Sequence, residues 1–515
     1  MRRGVMILAW ATALSTITLA QSAGEEVARR QLESGRAFAK QGNYTEALKD
    51  FRAVADTHPN SSVADNALLE IARYYIDVAG DTKEAAAAVD AIVKKYATSD
   101  SAPDAYLLAG RLALARSHQS ADLDSALANF ERVFRLFPSS GAVPRSLTLV
   151  GETMWYARRY DDARANLSRT IAEFPTDATA AEAYLTLGKV LLALGEPVLA
   201  MEEMQQVRNR WPNTPAAATA LARTSTLHRL YIRAKGGPAW ALSADTIGPV
   251  KLQNVVGLAW SGKDALFSAA ETGLSVLTSG ATERPQAVVR PRGITVDLAG
   301  QVVAFDAGAL RPPTGAPLTL AVPQSGGTPK ALSNLQAATQ VSNGDWLVAD
   351  SNDRVLQRFS STGTHVGTFG AGRITRLAST ETDLVAGLDK DAKSVVVFDG
   401  AGTLTARIPL KTPGYDLEEA EDLTFDAFGH LYVLSRTSIA VFSPYPAAPA
   451  ATAAAAPAAA AAPAAARAGA YRLLTVFAPP QNDPAGFRRA TSFVVDPSGT
   501  IYLYDDRAER VMVYR

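Results

Sequence analysis

From residue 28 to about 235, apolar side chains return every third or fourth position, and from about 239 to the end they alternate with polar ones. The first period is that of helices burying one stripe, the second that of half-buried strands. The change falls at Gly236-Gly237-Pro238, residues that stop a helix and start a turn. The pattern predicts a multidomain chain, α then β: helices over 28–235, a linker at 236–238, and strands over 239–515.

The helical half repeats itself. NFERVFRLFP (129–138), NLSRTIAEFP (166–175) and EMQQVRNRWP (203–212) end on Pro138, Pro175 and Pro212, 37 residues apart. A fixed step of this size marks stacked helical pairs. Small residues at Gly35, Ala72, Gly110, Gly151 and Gly188 recur in steps of 37, 38, 41 and 37 residues. Behind them follow Ala47, Ala85, Ala126, Ala163 and Ala200, then Phe51, Val89, Phe130, Leu167 and Met204. The small residues let two helices approach, the large one fills the groove beside them, and proline ends the second helix. The second unit is degenerate, with Ala97 where the others have Pro59, Pro138, Pro175 and Pro212.

These residues resemble the tetratricopeptide repeat, here about five repeats plus a capping helix over 215–234. The long spacing, with turns such as Pro59-Asn60-Ser61 and Pro212-Asn213-Thr214, is similar to that of cell-envelope members. Outer-membrane assembly lipoproteins and the Tol–Pal accessory protein are examples. The resemblance implies an α-α solenoid whose concave face holds a protein or peptide.

Helical phase places positions 2, 5, 9 and 12 of each first helix about 130° from the core stripe. Position 9 reads Arg36, Arg73, Arg111, Glu152 and Lys189, and Trp155 and Tyr156 sit close by. One reading is a groove for an acidic segment or a terminal carboxylate, held by guanidinium forks and an aromatic platform. The other is a solvated helix face, with Trp155 packed against its neighbour.

The strand half also repeats. GITVDLAGQVVAFDAG (293–308), DLTFDAFGHLYVLSR (422–436) and SFVVDPSGTIYLYDDRAERVMVY (492–514) share a strand, an Asp-containing turn and a second strand. With three looser copies, beginning near 255, 339 and 376, they make six units, each long enough for a four-stranded blade. The run 348–355, VADSNDRV, resembles NHL-type propellers, which implies a six-bladed β-propeller over 239–515. Asp297, Asp426 and Asp496, and likewise Asp306, Asp350 and Asp505, are placed to accept turn N–H groups rather than to catalyse. The last unit stops one strand short, and residues 239–243 are placed to supply that strand and close the ring. An Ala/Pro-rich loop, 446–470, interrupts the fifth unit.

Composition narrows the function. Lys+Arg and Asp+Glu are both 51, so no global field draws nucleic acid or an anionic membrane. There is no cysteine, which removes disulfides, thiolate chemistry and a lipid-bearing cysteine. Met1-Arg2-Arg3, the apolar run 4–20 and Thr18-Leu19-Ala20 read as a signal peptide, 1–20, cleaved near Ala20. No later run is long and apolar enough to span a bilayer.

The five histidines are scattered, so no zinc or histidine-base site is read, and no catalytic residue, cofactor or metal is assigned. Around the expected channel mouth lie Arg292, Arg376 and Arg489 and an acidic run including Glu418, Glu421 and Asp422. Such a set suits ligand or partner binding. Converging carboxylates would suit Ca²⁺, and a solvated run would do neither.

The expectation is an exported, periplasmic, non-enzymatic scaffold of cell-envelope assembly that binds protein. A metal-dependent propeller enzyme of lactonase or lyase type and a carbohydrate- or cell-wall-binding module are the alternatives. Metal analysis of pure protein separates the first two. Sequencing the N-terminus of the mature protein should give Gln21, or Gly24 if the later small residues are used. A full-length N-terminus in a membrane fraction would overturn cleavage.

Overall fold

The computed structural model describes residues 23–245, 247–248, 251–278, 281–286, 290–324, 326–370, 372–446, 471–479 and 486–515. The expected signal peptide and residues 447–470 of the Ala/Pro-rich loop lie outside the described residues. Helical repeats come first, and a six-bladed β-propeller follows. The chain divides into two compact units, Met1–Ala157 and Arg158–Arg515. The division falls within the helical repeats, so the last repeats share a unit with the propeller.

The first unit contains α1 (residues 23–40), α2 (Tyr44–Thr57), α3 (Ala64–Tyr74), α4 (Thr82–Lys95), α5 (Ala102–Arg116), α6 (Ser120–Leu136) and α7 (Val143–Tyr156). In the second are α8 (Tyr160–Glu173), α9 (Ala180–Ala193), α10 (Pro197–Arg210) and α11 (Pro215–His228). The repeat residues do what their sizes require. A methyl group added at Gly35 would meet the Phe51 ring at 2.6 Å, at Gly110 the Phe130 ring at 2.2 Å, and at Gly188 the Met204 methyl at 2.4 Å. Only the missing Cβ lets these helix pairs close.

Each second helix stops in the same way. The backbone N–H groups of His58, Tyr96, Phe137, Phe174 and Trp211 donate to the carbonyls four residues back, at 2.7–3.0 Å. The degenerate second repeat keeps this terminus at Tyr96 although Ala97 replaces proline. Its ring hydroxyl donates to the Pro59 carbonyl at 2.5 Å, which ties it to the preceding turn. The terminus is thus an aromatic or histidine cap, with proline as reinforcement.

The propeller blades are antiparallel sheets numbered from one to six in chain order. Their innermost strands are Val255–Trp260, Gly293–Val296, Leu335–Gln340, Ile374–Ser379, Ala420–Phe425 and Ala490–Val495. In blades one, three, four, five and six the register shifts near the start of that strand. A bulge at this point bends the strand and re-aims the side chains that follow it toward the channel.

The turn aspartates hold the hairpins. Asp426 Oδ1 accepts the N–H groups of Phe428 and His430 at 2.9 and 3.0 Å, and Asp496 Oδ1 those of Ser498 and Thr500 at 2.8 and 3.0 Å. Asp306, Asp350 and Asp505 cap the next turn by the same bonds.

Blade six has three strands of its own. The expected closure is present: Ala241 N–H donates to the Arg515 carbonyl at 2.8 Å, Arg515 N–H to Ala241 at 2.9 Å, and Ser243 N–H to Val513 at 2.8 Å. Trp240, fully buried, lies against Tyr432 and Phe477 and fixes the start of this segment.

The helix-pair geometry makes a clear prediction. Gly110→Val should destabilise the fold by about 1–3 kcal/mol through overpacking against Phe130. Gly141→Ala, where an added methyl meets nothing within 4 Å, should leave urea midpoints nearly unchanged. Equal effects of the two changes would show that the close approach at Gly110 is not required.

Candidate functional site

On the helical face of the first unit, the predicted basic residues are cross-linked to neighbouring repeats. Arg36 Nε lies 2.9 Å from Glu70, Arg73 Nη2 3.2 Å from Asp104, and Arg111 Nη2 2.8 Å from Asp77. These pairs join the first helices of successive repeats, and the face alternates in charge. Being largely exposed, each contributes on the order of 0–1 kcal/mol to stability. Trp155 is buried and meets Tyr156 edge-on at 5.0 Å, and Tyr156 stacks on His118 at 4.0 Å. Lys189, in the second unit, is buried in α9 and pairs with Glu381 of the propeller at 2.6 Å.

The central channel of the propeller encloses about 320 Å³. Its wall can be read by register. At the end of each inner strand, Ser261, Asp297, Val341, Thr380, Asp426 and Asp496 donate N–H to the carbonyl four residues on. Four positions before those turns stand Gly257, Gly293, Ala337, Arg376, Asp422 and Ser492, all lining the channel. Blades one to three therefore present glycine, glycine and alanine. Blades four to six present arginine, aspartate and serine. On that side the places of the absent side chains are filled by neighbours, since a methyl on Gly257 would meet Ile294 at 2.7 Å and one on Gly293 the Phe305 ring at 2.2 Å.

The side formed by blades four to six is a connected polar network. Asp422 Oδ2 accepts from Ser492 Oγ at 2.9 Å and Phe493 N–H at 3.3 Å, and Oδ1 accepts from Leu423 N–H at 3.0 Å. Ser492 Oγ in turn accepts the Leu258 N–H of blade one at 3.0 Å. Arg376 Nε stands 3.5 Å from Asp422 Oδ1, and its Nη1 donates to the Thr375 carbonyl at 3.0 Å. Burial pushes the Asp422 carboxyl above its usual range, against the pull of Arg376 and the donated hydrogen bonds.

Of the six residues expected at the channel mouth, the structure brings Arg292, Arg376 and Asp422 to the channel wall. The other three stand outside its lining. Glu418 is held by Lys393 and Lys411 at 3.2 and 3.1 Å, Glu421 by Arg436 at 3.0 Å, and Arg489 by Asp506 at 3.2 Å. Among the described residues no three His, Cys, Asp or Glu side chains gather as a metal-ligand set.

In the sequence His430 has no second histidine at ligand spacing. In the fold it is fully buried, with Nδ1 2.8 Å from Asp426 Oδ2 and Nε2 2.9 Å from the Tyr231 hydroxyl. A carboxylate only accepts, so Nδ1 carries a proton, and in the neutral ring Nε2 then accepts from Tyr231. Tyr231 lies in a π-helical turn, Arg229–Arg233, that continues α11, and burial pushes its hydroxyl up to about 12. Beside it, Thr226 Oγ1 donates to the Pro497 carbonyl at 3.2 Å, Arg229 to that of Ser498, and Trp240 Nε1 to that of Gly499 at 2.8 Å. Only the Asp426–His430 spacing was visible in the sequence; the tyrosine comes from 199 residues away.

Residues 28–141 match the YfiO family, described as outer membrane lipoprotein, and residues 154–224 match a tetratricopeptide repeat family. The array is of tetratricopeptide type. A search of curated proteins finds no match. Among solved structures, the virginiamycin B lyase of Staphylococcus aureus is 12% identical, covering 50% of this chain and 81% of its own, with a TM-score of 0.32. A gluconolactonase of Xanthomonas campestris is 13% identical, covering 55% and 95%, with a TM-score of 0.36. A tetratricopeptide protein of Thermus thermophilus is 19% identical, covering 39% and 98%, with a TM-score of 0.30. At these values none of the three bears on chemistry. No described helix is long and apolar enough to cross a membrane.

Tyr231→Phe leaves His430 Nε2 without its buried donor and should cost about 1–3 kcal/mol of stability. Differential scanning calorimetry of the full chain checks this. An unchanged melting profile would mean that the hydrogen bond does not hold α11 to the propeller.

Proposed function

We propose that this protein is a non-enzymatic scaffold of the cell envelope, exported to the periplasm, that binds protein partners on its helical repeats and propeller. The observation that carries this reading is the buried Tyr231–His430–Asp426 contact, with the bonds to residues 497–499 around it. It fixes the last repeats to the propeller, and a rigid union of two repeat architectures suits a part that holds partners in set positions. The match of residues 28–141 to outer membrane lipoproteins supports the envelope location. In this reading residues 1–20 are the export signal, 28–235 the partner-binding array, 236–238 the linker and 239–515 the propeller.

The helical face would take an acidic segment on Arg36, Arg73 and Arg111, exchanging their present carboxylate partners for those of the ligand. Charge reversal of all three to Glu should leave helicity nearly intact, because exposed pairs contribute little. It should abolish recovery of an acidic partner in cross-linked pull-downs from envelope extract and remove the salt sensitivity of capture. Recovery at the wild-type level would eliminate this face as the binding surface.

A further inference from the structure

We propose that the Arg376 side of the propeller channel is a binding site for the carboxylate of a small ligand. The inference goes beyond the scaffold reading and does not rest on it. Four observations converge on this site.

First, Asp422 is already satisfied. Ser492, two backbone N–H groups and Arg376 Nε use both of its oxygens, so it serves to position Arg376 rather than to meet a ligand. Second, the guanidinium has capacity left. Nε faces Asp422 and Nη1 faces a carbonyl, and Nη2 has no partner among the described residues. Arg376 lines the channel with a side chain 31% exposed.

Third, the neighbouring charge is under-compensated. Lys390 is half-buried, and its ammonium donates to the Ala420 carbonyl without an ion pair among the described residues. Burial holds its pKa down; Glu421 opposes this, while Arg376, Arg436 and Arg373 add to it. Arg436 is in turn occupied by Glu419 and Glu421, and Arg373 faces Asp391. An incoming anion would relieve the repulsion between Arg376 and Lys390.

Fourth, there is room. The channel, lined in blades one to three by Gly257, Gly293 and Ala337, has about 320 Å³, which suits a small molecule or the end of a chain. Arg292, whose Nη1 donates to Asn334, lines the same channel from blade two. One free guanidinium edge matches a carboxylate better than a phosphate dianion, which draws on several cations or N–H groups.

The carboxylate has two sources, a free organic acid or a peptide C-terminus. Calorimetric titration of the full chain with succinate and succinamide tests the first, and triglycine with triglycinamide the second. In at least one pair the carboxylate should bind about tenfold or more tighter than its amide, as expected for a charge-assisted contact. That pair names the source. The double change Arg376→Gln with Asp422→Asn, which avoids a lone buried charge, should abolish the preference.

Equal binding of acid and amide in both pairs, or no binding of either acid, would overturn the proposal. So would tighter binding of inorganic phosphate than of both acids. If the double variant does not fold, an undiminished carboxylate preference in Arg376→Gln alone overturns it. Partner capture from envelope extract is read separately, so failure here leaves the scaffold reading standing.

Discussion

A propeller keeps its shape only when its first and last blades share a sheet, because an open ring would expose two unpaired strand edges. Here that closure depends on the short segment 241–243 and its three backbone hydrogen bonds to Val513 and Arg515. The segment is delivered by α11 and its π-helical turn, and Trp240 is buried just before it. The last repeats and the ring thus meet along this stretch, as they also do at Lys189 and Glu381. The same stretch carries Thr226, Arg229 and Tyr231 onto the turns of blades five and six, which explains why the last repeats are compact with the propeller rather than with the repeats before them.

The joint shows how buried polar groups confer specificity. Asp426 is a turn cap through Oδ1, while Oδ2 faces His430 and accepts from Tyr432. A capping aspartate, repeated through the ring for local reasons, has been extended at one blade into a long-range contact. Gly499 sits at a φ of +77°, and a methyl there would stand 2.8 Å from the Thr226 hydroxyl, so both backbone conformation and helix approach favour glycine.

The channel follows a different logic. Six inner strands bring equivalent positions to one level, and side-chain size alone breaks the symmetry. Three small residues stand on one half, where Ile294 and Phe305 fill the space beside the two glycines, while a hydrogen-bonded serine, aspartate and arginine hold the other. Hydrogen bonds run from blade one through blade six to blade five, and an ion pair carries the contact to blade four. The polar half therefore stiffens the ring as well as shaping the cavity.

The sequence by itself determined the two architectures and their order, because helical and strand periods and the repeat spacings are local properties. It also determined the turn roles of Asp306, Asp350, Asp426, Asp496 and Asp505, whose partners lie within a few residues. Arg292, Arg376 and Asp422 line the channel, the last two from within their inner strands, whereas Glu418, Glu421 and Arg489, read alike in the sequence, are held outside by cations and carboxylates of other loops. The basic ladder was legible as a register, but its pairing with Glu70, Asp104 and Asp77 required the stacking of repeats. Tertiary structure alone decided that His430 is locked by Tyr231, that Lys189 reaches Glu381, and that two glycines and an alanine line the same channel as Arg376. The reason is physical: each depends on residues far apart in the chain, and no local period records which distant side chain will fill or leave a given space.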